Sequence, residues 1–267
     1  MRSGIQSCVA LAFSLVSPHL STGQEDPRAQ EIADKTHVML YAQGVDLRAT
    51  VHMRIISDQG AEKERVFSIA RVQKRDGDAR TQRYLLYFHE PRDLRRMSFL
   101  VWKSDAEEDQ RWMYVPGMDL VRRIAARDAR KSFAGSTLYY EDITGRDIGR
   151  DSFTLLPREG PDYLLKAVPR DPNSVEFSYY TILVDGATFL PKQIEYFEDE
   201  ADPYRRFVVH SVLEVESYPT VVRAEMQDEK AGTRTVVTYS DIRYGLGFQV
   251  NRFHEGLLRM PPVEFIR

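Results

Sequence analysis

Apolar and polar residues alternate along most of this chain, and helical spacing is rare between the alternating segments. From Leu47 to Ile55 every second residue is apolar, and the positions between them are polar. A period of two residues places one face of a β-strand in a core and the other in water. Turn sequences such as Asp185-Gly186 and Ala231-Gly232 separate the later segments. The chain is therefore predicted to fold as an antiparallel meander.

The predicted fold class is mainly β: a single strongly curved antiparallel sheet, or half-open β-barrel, with a few covering α-helices. The strands predicted from these patterns cover residues 47–55, 67–69, 84–88, 99–102, 111–115, 153–156, 163–168, 177–184, 190–197, 207–215, 221–226 and 233–239. Helical sequence is confined to a segment that begins at Asp26-Pro27 and ends at Gly44, and to residues 136–142 and 251–258. No shift in composition divides the chain, so residues 24–267 are predicted to form one domain.

The first 23 residues have the features of a secretory signal peptide, with Arg2 before a short apolar stretch and small residues up to Gly23. We expect cleavage before Gln24, and a buried N-terminal helix is the alternative. The apolar stretch is too short to span a bilayer, which takes about 20 residues. Cleavage would also remove Cys8, the only cysteine, so the mature chain would have no disulfide or thiol chemistry. These features predict a soluble protein of the bacterial periplasm.

Composition and motifs argue against several classes of function. The net charge of −3 disfavours nucleic-acid binding, because no excess of lysine and arginine exists to neutralise phosphates. The sequence contains no GxSxG nucleophile elbow, no glycine-rich phosphate loop and no HExxH zinc motif. The histidines are scattered singly, whereas zinc sites show paired ligands at short spacing. We expect no catalytic residue, no metal and no cofactor.

Two acidic features leave alternatives open. Adjacent Glu141 and Asp142 could act as an acid-base pair, but neighbouring carboxylates usually diverge. A structural role is therefore favoured, either capping a helix or pairing with Arg122 or Arg123. The acidic segment of residues 195–202 is explained most simply as a solvated loop, and a docking surface for a basic partner is the alternative.

Aromatic residues are concentrated in the central third of the chain, among them Trp102, Trp112, Tyr114, Phe133 and Tyr140. An ordinary packed core explains them, since aromatic side chains dominate core energetics everywhere. The lining of a ligand cavity explains them equally well, because a curved sheet with many strands encloses more space than side chains easily fill. Composition does not distinguish the two interpretations.

Residues 88–142 contain an ordered series of short blocks. The blocks are Phe88, Pro91, Asp93, Arg95-Arg96 and Phe99-Leu100, then Trp112-Met113-Tyr114-Val115-Pro116, Arg122-Arg123-Ile124, Phe133-Ala134-Gly135-Ser136 and Tyr140-Glu141-Asp142. This series resembles the outer-membrane lipoprotein-sorting family, specifically the LolA-like branch associated with membrane exporters. Two positions depart from the family pattern. Arg96-Met97 stands where glycine usually follows the arginine, and Thr137 stands where aspartate usually follows the serine.

The resemblance implies a half-barrel of antiparallel strands, closed by helices around an apolar cavity for acyl chains or other lipids. The residues expected to line this cavity are Phe88, Leu100, Trp102, Trp112, Tyr114, Phe133 and Tyr140. The motif positions expected to have structural roles are Pro91, Arg122, Arg123, Gly135, Ser136, Glu141 and Asp142. Gly135-Ser136 is expected to form a tight turn, with Ser136 as the N-cap of a short helix.

Local geometry predicts the directions of several side chains in these blocks. Trp112 and Tyr114 share one face of a strand, and Pro116-Gly117 would reverse the chain after it. Arg122-Arg123 would point to opposite faces if extended, so that one of them could reach a lipid headgroup or Glu141.

The resemblance implies a periplasmic carrier that binds a lipid or lipoprotein acyl chain and moves it towards the outer membrane. Its expected partners are an inner-membrane exporter and an outer-membrane acceptor. An acyl chain needs such a carrier because each methylene exposed to water costs about 0.8 kcal/mol. Release and capture would follow from movement of a helix over the sheet. The alternatives are an envelope sensor that reads lipid and controls a membrane-anchored partner, and a hydrolase that uses Glu141 or Asp142.

Overall fold

A computed structural model describes residues 26–76, 79–105, 107–199 and 202–267. The predicted signal peptide, residues 1–23, lies outside the described residues, as do residues 200 and 201 of the acidic segment. The strands are β1 (Asp46–Ile56), β2 (Glu62–Asp76), β3 (Ala79–Glu90), β4 (Ser98–Ser104), β5 (Gln110–Val115), β6 (Leu120–Ile124), β7 (Asp151–Leu156), β8 (Tyr163–Pro169), β9 (Tyr179–Val184), β10 (Pro191–Phe197), β11 (Arg205–Val215), β12 (Tyr218–Asp228) and β13 (Thr233–Tyr244). The helices are α1 (Pro27–Tyr41), α2 (Tyr140–Thr144) and α3 (Val263–Ile266).

In the described residues, the strands form one 13-stranded antiparallel sheet, which confirms the predicted mainly β fold. The strand order is β6-β5-β4-β3-β2-β1-β13-β12-β11-β10-β9-β8-β7. We call β1–β6 the N-terminal arm and β7–β13 the C-terminal arm. The arms join where β1 pairs with β13, for example at Val51 and Tyr239. Residues 125–150 connect β6 to β7, which lie at opposite edges of the curved sheet, and are called the crossing segment.

Helix α1 and the crossing segment lie on the same face of the sheet, which we call the inner face. Its N-cap is Asp26, whose Oδ1 accepts hydrogen bonds from the backbone N–H groups of Arg28 (3.0 Å) and Ala29 (3.1 Å). These bonds satisfy donors that the first helical turn leaves unpaired. Small apolar residues, including Ala29 and Ala33, then pack closely against β7–β9. The helix predicted from Asp26-Pro27 is therefore confirmed.

Both faces of the N-terminal arm are covered at strands β2–β5. On the inner face, Phe133 and Leu138 of the crossing segment pack on alternate side chains of β1–β5. The opposite face is called the outer face and is covered by the C-terminal segment (residues 245–267). Its rings Phe248, Phe253 and Phe265 pack on the side chains of β2–β5 that alternate with the inner-face residues. This double burial explains why residues 98–101 of β4 are all buried, instead of alternating between core and solvent.

The structure corrects three local predictions. Strand β6 was absent from the predicted strands, because its sequence LVRRI contains two adjacent arginines. The short helix predicted over residues 136–142 begins only at Tyr140. Residues 251–258 form two separate 3-10 turns, Val250–Arg252 and Glu255–Leu258, rather than one helix.

Ser136 is not an N-cap, because its hydroxyl takes part in the turn that precedes α2. The Ser136 hydroxyl donates to the carbonyl of Phe133 (2.6 Å) and accepts from the N–H of Leu138 (3.1 Å). Ala134 and Gly135 have φ angles of +51° and +75°, so the predicted tight turn is confirmed. Asp142 caps the helix instead, by accepting a 2.6 Å hydrogen bond from the N–H of Tyr139.

Candidate functional site

An apolar cavity of about 140 Å³ lies between the inner face of the central strands and a cover formed by α1 and the crossing segment. Most of its lining is aliphatic or aromatic, and its polar lining residues include Gln43, Arg71, Asp142 and Thr220. The residues that line it are Met39, Leu40, Tyr41, Gln43, Leu47, Ala49, Ile69, Arg71, Tyr84, Leu138, Asp142, Ile143, Ile194, Tyr196, Phe207, Thr220, Val221, Ala224, Met226, Val237, Tyr239, Ile242 and Tyr244. Both arms contribute, so the cavity lies beneath the junction of the two halves of the sheet.

The C-terminal end of α1 covers this cavity and is held by side chains of β2 and β3. The last carbonyls of a helix lack intrahelical partners, so they need donors from elsewhere. The carbonyl of Tyr41 accepts from Arg71 Nη1 (3.2 Å), Gln82 Nε2 (3.0 Å) and the Tyr84 hydroxyl (3.2 Å). Gln73 Nε2 donates to the carbonyls of residues 42 and 44, at 2.7 Å each. These bonds attach the end of α1 to the N-terminal arm.

The crossing segment also contacts the end of α1. Gly145, with a φ of +82°, lies under the ring of Tyr41, and a Cβ there would stand 2.7 Å from Cδ2 of that ring. Only glycine permits this close approach in this backbone conformation. The buried ammonium of Lys103 donates to the carbonyls of Thr144 and Gly145. The cover over the cavity is therefore one connected unit of α1 and the segment around Gly145.

Burial shifts the pKa values of several titratable groups that line the cavity. Burial raises the pKa of Tyr239 to about 12 and raises the pKa of Tyr41 well above its ordinary value, so both hydroxyls are protonated at neutral pH. Burial lowers the pKa of Arg71, whose guanidinium nevertheless donates to the carbonyls of Tyr41 and Gln43. The cavity thus offers apolar surface and neutral hydroxyls, and its charged lining residues Arg71 and Asp142 are engaged in hydrogen bonds or an ion pair.

Glu141 and Asp142 point in different directions and belong to separate ion pairs. Glu141 contacts Arg130 Nη1 at 2.5 Å and Arg146 Nη1 at 3.4 Å. Asp142 pairs with Arg205 of β11, which also donates to the carbonyl of residue 137 at 2.9 Å. The two carboxylates do not meet at one reacting atom. Their ion pairs agree with the structural role that the sequence favoured.

The expected pairing of Glu141 with Arg122 or Arg123 is wrong. Arg123 lies over the ring of Trp112 on the outer face, with 5.9 Å between its guanidinium carbon and the ring centroid. Arg122 is opposite Met113, an inner-face residue, across the β5–β6 pair. The two arginines therefore point to opposite faces, as predicted, while Arg130 and Arg146 of the crossing segment are closer to Glu141.

A second, more polar depression adjoins the cavity at Met39. Its volume is about 750 Å³, and it lies between α1, the ends of β2–β4 and residues 147–149. Its charged lining residues are balanced in sign: Lys35, Arg75, Arg80 and Lys103 against Asp34, Asp105, Asp109 and Asp147. The two spaces have one lining residue in common, Met39.

Three of the seven residues predicted to line the lipid cavity belong to the inner-face aromatic core. Phe88 and Phe133 have ring centroids 5.9 Å apart, and Phe133 and Tyr140 have centroids 5.6 Å apart. These rings pack between the crossing segment and β2–β4, beside the cavity.

The other four, Leu100, Trp102, Trp112 and Tyr114, lie on the outer face under the C-terminal segment. Trp102 Nε1 donates to the carbonyl of Phe253 at 3.0 Å. Trp112 and Tyr114 share one face of β5, as predicted, and that face is the outer one. The structure describes all seven residues and places none of them in the lining of the 140 Å³ cavity, so their lipid-binding role stays a prediction.

The residues that do line the cavity come largely from segments outside the family-like blocks. Ile69 and Arg71 alternate on β2, and Ala224 and Met226 alternate on β12. The period-two alternation of these strands carried the signal that one face is buried. It did not indicate which buried face encloses space. Pro91 and Gly135, by contrast, lie in turns, as expected of structural positions.

The described residues also bear on metal sites and membrane-spanning helices. In residues 26–76, 79–105, 107–199 and 202–267, no group of three or more histidine, cysteine, aspartate or glutamate side chains is arranged to hold a metal ion. Within the same part of the chain, no helix has the length and apolar character needed to cross a membrane.

Comparison with known proteins gives a family and a fold. A family model described as "-like: Uncharacterized protein" matches residues 80–260. Among solved structures, a domain assigned by its name to outer membrane lipoprotein sorting, from Vibrio parahaemolyticus, aligns with a TM-score of 0.77 and 23% identity, over 87% of this chain and 99% of that one. A DUF1329 family protein from Desulfovibrio piger aligns with a TM-score of 0.77 and 22% identity, over 87% and 98%.

A LolA superfamily protein from Nitrosomonas europaea aligns with a TM-score of 0.65 and 18% identity, over 85% of this chain and 98% of that one. No curated protein matches the chain. At these identities the alignments establish the fold, and the resemblance drawn from residues 88–142 is confirmed at that level.

Proposed function

We propose that this chain is a periplasmic carrier that binds a lipid or lipoprotein acyl chain in the cavity under α1. The chain belongs to the family of uncharacterized proteins whose model matches residues 80–260. The observation that carries the proposal is the apolar cavity beneath a helix, in a LolA-like sheet. Transfer towards the outer membrane, an inner-membrane exporter, an outer-membrane acceptor and cleavage before Gln24 belong to the same proposal.

The size of the cavity supports a mechanism in which the cover opens. An engineered apolar cavity of about 150 Å³ binds benzene, so 140 Å³ holds only a few carbon atoms while α1 is in place. A longer acyl chain must therefore displace part of the cover. The end of α1 is the part held mainly by side-chain hydrogen bonds, whereas its first turns pack apolar residues on β7–β9.

The first test is native mass spectrometry and lipid extraction on the protein purified from periplasm without detergent. A bound lipid in roughly stoichiometric amount is the expected result, and it would identify the cargo class. An empty protein that also fails to bind an added fluorescent fatty acid would contradict the proposal and favour the envelope-sensor alternative. N-terminal sequencing of the same sample checks the cleavage site.

Substitutions that fill the cavity provide a site-directed test. Ala49→Leu and Ala224→Leu add three carbon atoms each at positions that line the cavity from β1 and β12. Lipid occupancy should fall several-fold in each variant, because the added side chain takes space that the acyl chain needs. Ala231→Leu makes the same change in an exposed turn and should leave occupancy unchanged. Circular dichroism checks that each variant remains folded.

A further inference from the structure

Three exposed apolar side chains lie together at one end of the N-terminal arm. Met118 is 67% exposed in the turn between β5 and β6, and Leu120, at the start of β6, is 44% exposed. Met260, in the C-terminal segment, is 80% exposed. Arg259 brings these parts of the chain together, because its Nε lies 3.0 Å from Asp119 Oδ1 and its Nη2 lies 3.2 Å from the carbonyl of Asp119.

Exposed arginines surround this group. The turn between β3 and β4 carries Arg92, Arg95 and Arg96, all exposed. This turn is at the same end of the sheet as the β5–β6 turn, because Ser98 pairs with Tyr114 across β4 and β5. The hydrogen bonds of Arg259 and Tyr114 lower the pKa of Asp119, and the nearby charge of Arg96 adds to this effect.

The balance of charge at this end differs from that of the whole chain. Strand β6 adds two further exposed arginines, Arg122 and Arg123, beside the turn. The acidic groups near it are Glu90, Asp93 and Asp119, and the last of these is paired with Arg259. The chain as a whole has a net charge of −3. We call Met118, Leu120, Met260 and the surrounding arginines the basic tip.

We propose that the basic tip docks the protein on an anionic lipid bilayer, with Met118, Leu120 and Met260 inserted between headgroups and the arginines paired with lipid phosphates. Flexible apolar side chains ringed by basic residues match the polarity gradient of a membrane interface. Each arginine near an anionic surface contributes about 1 kcal/mol, which is roughly fivefold in binding. The apolar side chains lie on turns and a segment end, so they can enter a fluid layer without a matching groove.

This inference goes beyond the carrier proposal, because docking requires nothing in the cavity. It gives the protein a defined orientation at a membrane, with the β3–β4 and β5–β6 turns towards the lipid. The cavity and the basic tip are built from different residues, so each can be disabled separately.

Vesicle co-sedimentation with the whole protein tests the inference. Vesicles of phosphatidylcholine with phosphatidylglycerol should bind the protein at low salt, and vesicles of phosphatidylcholine alone should bind it much more weakly. The combined variant Met118→Ser, Leu120→Ser, Met260→Ser should bind at least about tenfold more weakly, because insertion of each apolar side chain is lost. Arg92→Gln with Arg95→Gln should weaken binding by about 25-fold, and raised salt should reduce this difference.

The matched control is Val212→Ser with Leu213→Ser, which removes two exposed apolar side chains, 40% and 59% exposed, from β11 of the other arm. This control should bind vesicles as the wild type does. The inference is overturned if the wild type ignores anionic vesicles, or if the control and the tip variants lose binding equally. Lipid occupancy of the cavity, measured on the same variants, should not change, so failure of docking is distinguishable from failure of the carrier proposal.

Discussion

The crossing segment contacts the two arms of the sheet through different chemistry. On the N-terminal arm, Phe133 packs against Phe67, Phe88 and Phe99, with ring centroids 5.2–5.9 Å apart. The contacts with the C-terminal arm include ion pairs instead. Their partners are Arg130 with Glu176, Arg146 with Asp151, and Asp142 with Arg205.

This difference indicates which side of the molecule can move. Hydrophobic burial of the rings is non-directional, and aromatic pairs accept several ring orientations, whereas bidentate ion pairs fix both distance and angle. We therefore expect the crossing segment to stay with the C-terminal arm while the N-terminal arm shifts against it, a movement that must also break the hydrogen bonds from Lys103 of β4 to the carbonyls of Thr144 and Gly145. The hydrogen bonds from β2 and β3 to the end of α1 would then break when the cavity opens.

The largest effect should come from breaking one buried ion pair. Arg205→Leu leaves the carboxylate of Asp142 without its cation, and loss of one partner of a buried pair costs about 3–5 kcal/mol. The adjacent variant Arg206→Leu removes pairs with Glu195 and Glu229 that are more exposed, and should cost about 0–1 kcal/mol. Urea unfolding measures both free energies. Equal losses in the two variants would show that burial does not make the Arg205–Asp142 pair a stronger constraint than the exposed pairs of Arg206.

Conservative substitutions should separate the two kinds of contact at a smaller scale. Phe133→Leu keeps an apolar side chain in an apolar site and should cost less than about 1.5 kcal/mol. Arg205→Lys keeps the charge but loses the bidentate geometry and the position over the ring of Tyr139, and should cost about 1.5–3 kcal/mol. If Arg205→Lys cost less free energy of unfolding than Phe133→Leu, the directional contacts on the C-terminal arm would not be the stronger constraint.

The effects of pH on stability should appear as two overlapping windows. Burial, with the charges of Lys103 and Arg80, lowers the pKa of His37 on α1 to about 3, so its contribution to stability is lost as pH falls from about 6.5 towards 3. Burial alone would raise the pKa of Glu176, but its hydrogen bond and ion pair with Arg130 lower it to about 2. The contribution of Glu176 is therefore present above about 4.5 and is lost between 4.5 and 2.

Melting temperatures measured from pH 7 to pH 3 check these windows. His37→Phe should flatten the profile from about pH 6.5 down to about pH 3, the interval between the unfolded and folded pKa values of His37. Glu176→Gln should flatten only the part below about pH 4.5. Identical profiles for wild type and both variants would show that neither group is linked to unfolding.

Much of the fold was predictable because its strands keep a regular alternation. Strand β1 alternates without interruption from Leu47 to Ile55, and the structure pairs residues 46–56 on both sides. Strand β6 was missed because Arg122 and Arg123 interrupt its short apolar pattern, as suits a sheet edge that is open to water.

The location of the site could not be predicted, because alternation does not distinguish two buried faces. The C-terminal segment covers the outer face of the N-terminal arm, so Trp112 and Tyr114 are as buried as Phe88 on the inner face. Which face encloses space depends on contacts between residues far apart in sequence. Asp142 and Arg205, for example, are 63 positions apart.

The topology also places a mechanical limit on what the protein can enclose. The 26 residues between Ile124 and Asp151 are a covalent strap joining the two edges of the sheet. Fully extended, such a strap would reach roughly 90 Å, and its turns and helix α2 shorten it well below that span. On the carrier proposal, a bulky cargo could spread the arms only until the strap becomes taut. The maximum cargo size would then be set by chain length as well as by affinity, and inserting residues into the strap would raise it.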